Sequence, residues 1–227
     1  MARIALLLIA TALLAGCSAL PENRSERRGA STASTPSRAL PAPKSGADAQ
    51  CLSSLGQLGA QYTPVADRYL DNGCQILGSV QLASLPADHS TLAVTNLGPV
   101  TCEVIQAFAG WARYGVDRAA RQMLGSGLRS IETFGSFSCR DVAGTGRRSA
   151  HAQAGAIDVS GFVLEDGRRI VIKEAWHSAN AQERAFLRAV QGSACRRFGT
   201  VLGPDYNAAH ADHFHLEGVI EGKSYCR

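Results

Sequence analysis

The sequence predicts an α+β domain, an antiparallel sheet with flanking helices stabilised by disulfides. Three observations carry this expectation. Apolar residues recur at helical spacing in two separate blocks, and β-branched and aromatic residues recur at intervals of two in segments joined by a tight turn. An even set of cysteines lies in a chain that opens with an export signal.

The opening "MARIALLLIATALLAGCSALPEN" sets Arg3 before an apolar run from Ile4 to Ala15, followed by Gly16 and Cys17. A short basic region, an apolar stretch of this length and small residues describe a secretory signal over residues 1–17. A membrane span needs about 20 apolar residues, more than this run supplies. Leu14-Ala15-Gly16-Cys17 resembles the bacterial lipobox, in which the cysteine is lipidated and becomes the new N-terminus. The other reading is an ordinary signal peptide with an incidental cysteine. Acyl chains on Cys17 would anchor the protein to a membrane. Ser18 rather than Asp after it implies, by resemblance to Gram-negative lipoproteins, the outer membrane facing the periplasm.

Residues 18–50 contain no aromatic residue and are rich in Ser, Ala, Pro and Arg. Such a segment buries too little surface to offset its chain entropy and reads as a flexible tether. It carries five basic residues against three acidic ones, whereas residues 51–227 carry 17 against 16. The positive charge therefore belongs mainly to the tether, where it favours anionic lipid or wall surfaces, and gives no reason to expect a nucleic acid partner.

Residues 51–227 suffice for one domain with its own core. Its six cysteines, Cys51, Cys74, Cys102, Cys139, Cys195 and Cys226, read as three disulfides, with 15 possible pairings. Cys51 and Cys226 lie near the domain's two ends, so each is expected to tie down a terminus. A free nucleophilic cysteine is the rival reading for any one of them.

Within the domain, Val104, Phe108, Trp111 and Ala112 share a helical face after Pro99, predicting a helix over about 101–123. "GLRSIETFGSFSCR" reads as a strand. "AGAIDVSGFVLEDGRRIVI" reads as a hairpin turning at Glu165-Asp166-Gly167. "SANAQERAFLRAVQGSACRRF" reads as a helix capped by Ser178 or Asn180, with Phe186, Leu187 and Val190 inward.

Three of the six histidines crowd into "NAAHADHFHLEG" as His210, His213 and His215. In His213-Phe214-His215-Leu216 strand alternation puts both imidazoles on one face. Upstream, His151 lies in the loop that feeds the strand carrying Asp158, and Gly155 and Ala156 keep that turn small. His151, Asp158 and a histidine of the cluster would give two imidazoles, one carboxylate and an open position at the sheet. That donor set suits one catalytic zinc ion, Zn2+, and hydrolytic chemistry. Asp212, three residues before His215, is a natural general base. Glu174-x-x-His177 also mimics a metal motif but lacks a second nearby histidine, and His89 in a polar loop has no assigned role.

These segments carry a resemblance. His-x6-Asp followed by a late His-x-His is similar to the zinc peptidases grouped with lysostaphin, the D-Ala-D-Ala peptidases and the murein endopeptidases. "FGSFSCR", "HAQAGAIDVSGF", "VLGPDYN" and "HADHFHLEG" more closely resemble bacterial extensin-like C-terminal domain proteins, from about Cys51 to Cys226. The peptidase resemblance implies His151, Asp158 and His215 as zinc ligands, with His213 stabilising the transition state. Asp212 or His210 would be base or supporting partner; several of those peptidases carry Glu where this chain has Asp212. Arg140 is a further candidate, able to hold a substrate carboxylate bidentately or to face solvent. The expected function is a monomeric, lipid-anchored zinc metallopeptidase acting on peptidoglycan stem peptides or cross-links. The alternative is a non-catalytic cell-wall-binding lipoprotein with a structural zinc.

Overall fold

A computed structural model of the chain describes residues 46–178 and 180–227. The signal segment, Cys17 and tether residues 18–45 lie outside the described residues. Among those described, no helix is long and apolar enough to cross a membrane.

The first element corrects the boundary read for the tether. Helix α1 (Gly46–Gln57) begins inside it, because Cys51 is bonded to Cys102 and Leu55 is fully buried, which pins the helix to the core. Then follow β1 (Gln61–Pro64), the short pair β2 (Arg68–Tyr69) and β3 (Gln75–Ile76), β4 (Ser79–Pro86), β5 (Thr91–Thr95) and β6 (Val100–Thr101). The expected helix spans Cys102 to Leu124 in three parts. These are α2 (Cys102–Trp111), a π-helical turn (Ala112–Asp117) and α3 (Arg118–Leu124), closed by Gly125 at φ +74°. The π turn buries Asp117, whose carboxylate accepts from the Leu128 amide at 2.8 Å and from Arg121 Nε at 3.2 Å. The helix thereby fixes the start of the next strand.

That strand, β7 (Leu128–Gly135), is shorter than expected: Ser136–Arg140 leave the sheet to form a loop. The hairpin is present as β8 (Ala156–Leu164) and β9 (Arg169–Val171), but Ile172 opens a short helix, α4 (Ile172–Ala175), instead of extending β9. Helix α5 (Ala181–Ala194) is capped by Asn180, whose side chain accepts from the Gln182 and Glu183 amides. The chain closes with β10 (Thr200–Leu202), β11 (Phe214–Glu217) and β12 (Tyr225–Cys226).

The main sheet runs β1-β4-β5-β7-β8-β11-β10-β12, with β6 on β4 and β9 on β8. It is mostly antiparallel; β5 with β7 and β10 with β12 are the parallel pairs. The fold is thus mixed α+β. Phe162 bridges sheet to helices, with ring centroids 6.1 Å from Trp111 and 5.5 Å from Phe186. The Trp111 indole donates to the Val190 carbonyl at 3.0 Å, joining α2 to α5. Each such fully buried side chain contributes roughly 1.5–3 kcal/mol.

One irregularity in β8 decides where the polar residues face. Thr133 pairs with Val159 and Glu132 with Gly161, which leaves Ser160 as an extra residue. Such a bulge inverts alternation. Phe162 therefore lies on the helix side together with Val159, while Asp158 faces away from the helices. The disulfides are Cys51–Cys102, Cys74–Cys139 and Cys195–Cys226. Each end cysteine ties its terminus to the interior rather than to the other end.

Candidate metal centre

Asp158 sits mid-sheet, opposite Gly135 of β7 and His215 of β11. Antiparallel pairing places opposed side chains about 4.5–5.5 Å apart at Cβ, so the pair is set by register alone. His151 arrives from a 3-10 turn (Ala150–Gln153), where Ser149 Oγ accepts from the His151 amide at 3.3 Å. Ala154, at φ +54°, turns the chain back, and its carbonyl accepts from the Thr101 amide at 2.9 Å. Non-glycine residues enter this conformation only where neighbours hold them, and here they do.

Three side chains converge. His151 Nε2 lies 3.1 Å from His215 Nδ1 and 3.2 Å from Asp158 Oδ2, and His215 Nδ1 lies 2.9 Å from Asp158 Oδ1. Tetrahedral coordination with bonds of ~2.0–2.1 Å separates donors by about 3.3 Å. The outward nitrogens have their own acceptors. His151 Nδ1 makes a short hydrogen bond to the Ser136 carbonyl, and His215 Nε2 lies 3.1 Å from Glu217 Oε2. Those acceptors orient both rings so that their other nitrogens face Asp158, the usual support for metal-binding imidazoles. The donor types, spacing and supporting partners fit one divalent ion of the zinc kind.

The charges agree with this geometry. Burial pushes the Asp158 carboxyl up, but hydrogen bonds from His151 and His215 outweigh it and hold it well below the carboxylate range. Burial opposes charge on His215, yet hydrogen bonds to Asp158 and Glu217 lift it to about 9.

The other expected residues surround this centre. His213 Nε2 is 3.5 Å from Asp158 Oδ1, its Nδ1 is 2.9 Å from Asp212 Oδ1, and its ring meets the exposed Phe134 edge-on at 5.9 Å. Asp212 is therefore engaged with His213 and not with the three converging donors. His210 is outside that group too: its Nδ1 is 2.7 Å from Asn207 Oδ1, and its ring centroid lies 5.8 Å from that of His215. Burial, with the charges of His213 and His215, lowers its pKa to about 4. Glu174 and His177 are exposed on α4 and the turn after it, and His89 is exposed on another loop.

A groove of about 800 Å³ reaches the centre at His215; His151 and Asp158 do not line it. Its floor includes His213, His215 and Glu217; one wall is the loop carrying Arg140, Arg147 and Arg148; the other includes Leu202, Tyr206 and His210. Sequence reading misses Glu217, although the alternation that pairs His213 with His215 also puts Glu217 on that face. It misses the groove because that depends on two loops meeting.

Residues 49–227 match the family described as Extensin-like protein C-terminus. The chain belongs to this family. No curated protein and no solved structure gives a match. The extensin-like domain accounts for all three disulfides and for every residue of the groove.

Proposed function

We propose that this extensin-like protein is a lipid-anchored zinc peptidase that hydrolyses peptide bonds of peptidoglycan. The observation that carries the reading is the convergence of His151, Asp158 and His215 within 2.9–3.2 Å of one another beneath an open groove. When bound, a zinc ion there supplies Lewis acidity, polarising a carbonyl and lowering the pKa of water. The chain's own part is distinct. His213, oriented by Asp212, reaches from the groove floor towards developing negative charge on the reacting carbonyl oxygen. The proton acceptor for the attacking water would be His210, which lines the groove, or Asp212, once released from its contact with His213. Arg140 on the rim takes a carboxylate of the substrate. The lipobox at Cys17 and the tether support delivery of the domain from the outer membrane to the wall. The resemblance of "SAHAQAGAIDV" and "HADHFH" to the wall peptidases supports the substrate class.

The test is zinc content together with fragment release from purified peptidoglycan by the oxidised protein. Wild type is expected to hold about one zinc and to release fragments. His215→Ala should lose both, while Asp212→Ala and His210→Ala keep zinc and separate the two base assignments by activity. Tight zinc with no cleavage would transfer the site to the alternative reading, a wall-binding protein with a structural ion.

A further inference from the structure

The wall between Cys139 and Ser149 is a built loop. Cys74–Cys139 fixes one end, Asp141 bridges to Arg148, and the Val142 amide donates to the Arg147 carbonyl at 2.9 Å. Thr145 Oγ1 accepts from the Arg147 amide at 3.2 Å, so the backbone carrying Arg147 is held on both sides. Three arginines project from this loop into the groove, and they are not equivalent. Arg148 is neutralised by Asp141 at 2.9 Å and also donates to the Asn72 carbonyl. Among the described residues, no hydrogen bond or ion pair within 4 Å engages the guanidinium of Arg140 or Arg147, although the Arg147 charge helps to lower the Glu217 carboxyl. Both line the same groove as His210, His213, His215 and Glu217.

Resting on the peptidase reading above, we infer that Arg147 and Arg140 select a peptide with two carboxylates, one for each guanidinium. Two exposed guanidiniums on one groove wall, neither held in a close ion pair, favour anions, and the planar fork matches a carboxylate through two parallel hydrogen bonds. The opposite wall offers Leu202 and Tyr206, which suit the uncharged part of a peptide and repel no carboxylate. Arg148, already paired, takes no part.

The test uses the zinc-loaded, oxidised protein and synthetic stem-type peptides bearing two free carboxylates, one carboxylate and one amide in either position, or two amides. Binding is measured by calorimetry and cleavage separately. Each amidation is expected to weaken binding about tenfold. Arg147→Gln should abolish discrimination at one position only and leave the other intact, and Arg147→Lys should restore part of it. Equal binding of all four peptides by wild type would overturn the inference. So would a uniform loss of affinity for every peptide in Arg147→Gln, or inorganic phosphate competing as well as the dicarboxylate peptide. Discrimination in binding without any cleavage would sink the peptidase reading and leave the selection standing; cleavage without discrimination would do the reverse.

Discussion

Glu217 offers a sharp probe of the centre because it touches only one of the three donors. Its Oε2 lies 3.1 Å from His215 Nε2, and its carboxyl is held below the usual range first by that hydrogen bond. The carboxylate keeps the proton of His215 on Nε2 and turns Nδ1 towards Asp158. Glu217→Gln retains an acceptor of the same length but removes the charge. Losing such a supporting partner typically lowers metal affinity 10–100-fold. The Glu217 side chain is 41% exposed, so solvent screens it and the lower end applies. The expected loss is about tenfold, or ~1.4 kcal/mol. Glu217→Ala also removes the acceptor and frees the ring to turn, and should approach a hundredfold. Competition with a chromophoric chelator at fixed pH reads both values, while chemical denaturation of the metal-free proteins controls for folding. Unchanged zinc affinity in Glu217→Ala would refute the claim that this carboxylate orients His215.

Other perturbations have equally definite signs. In the metal-free protein, burial opposes the charge on His215 while Asp158 and Glu217 raise its pKa from 6.5 to about 9. That stabilisation is complete below the lower value and lost as pH climbs to the upper one, so metal-free melting temperatures should fall across this window, and stability rising there would contradict it. Zinc uptake at neutral pH should release a proton from His215, visible as a heat that changes with the buffer's ionisation enthalpy. A Cβ at Gly115 would overlap Ser193 Oγ and lie 3.0 Å from Trp111 Cδ1. Gly115→Ala should therefore destabilise by ~1–3 kcal/mol, with partial recovery in a double variant with Ser193→Gly, measured by urea denaturation. Replacing Cys74 and Cys139 by Ser opens a link spanning 65 residues, worth about 4 kcal/mol by chain entropy. It should also speed proteolysis between Arg140 and Arg148; unchanged cleavage there would show that the bond does not hold the groove wall.

Much of the centre is legible in the residues because it depends on local rules. Alternation puts His213 and His215 together, and a short loop-to-strand step brings His151 to Asp158. The bulge also left a trace. Ile157 and Val159 share one parity and Phe162 and Leu164 the other, a conflict that one extra residue resolves. The strands before residue 101 were harder to read. Exposed Gln81, Thr91 and Ala93 sit on strands beside buried residues, and partners distant in sequence decide that burial. The π turn has no periodicity of its own; Gly115 and buried Asp117 mark it only once α5 and β7 are known. The choice among disulfide pairings and the division of labour among Arg140, Arg147 and Arg148 likewise depend on which loops meet.

The pairing of His215 with Asp158 gives the sheet an internal proofreading step. If β11 slid by one residue along β8, His215 would enter the apolar layer and Phe214 or Leu216 would take its place beside His151. A single slip would thus cost the core and the ion-binding donors together. If the centre holds zinc as proposed, zinc stoichiometry in a purified wild-type sample would therefore also count the molecules whose central strands are correctly aligned.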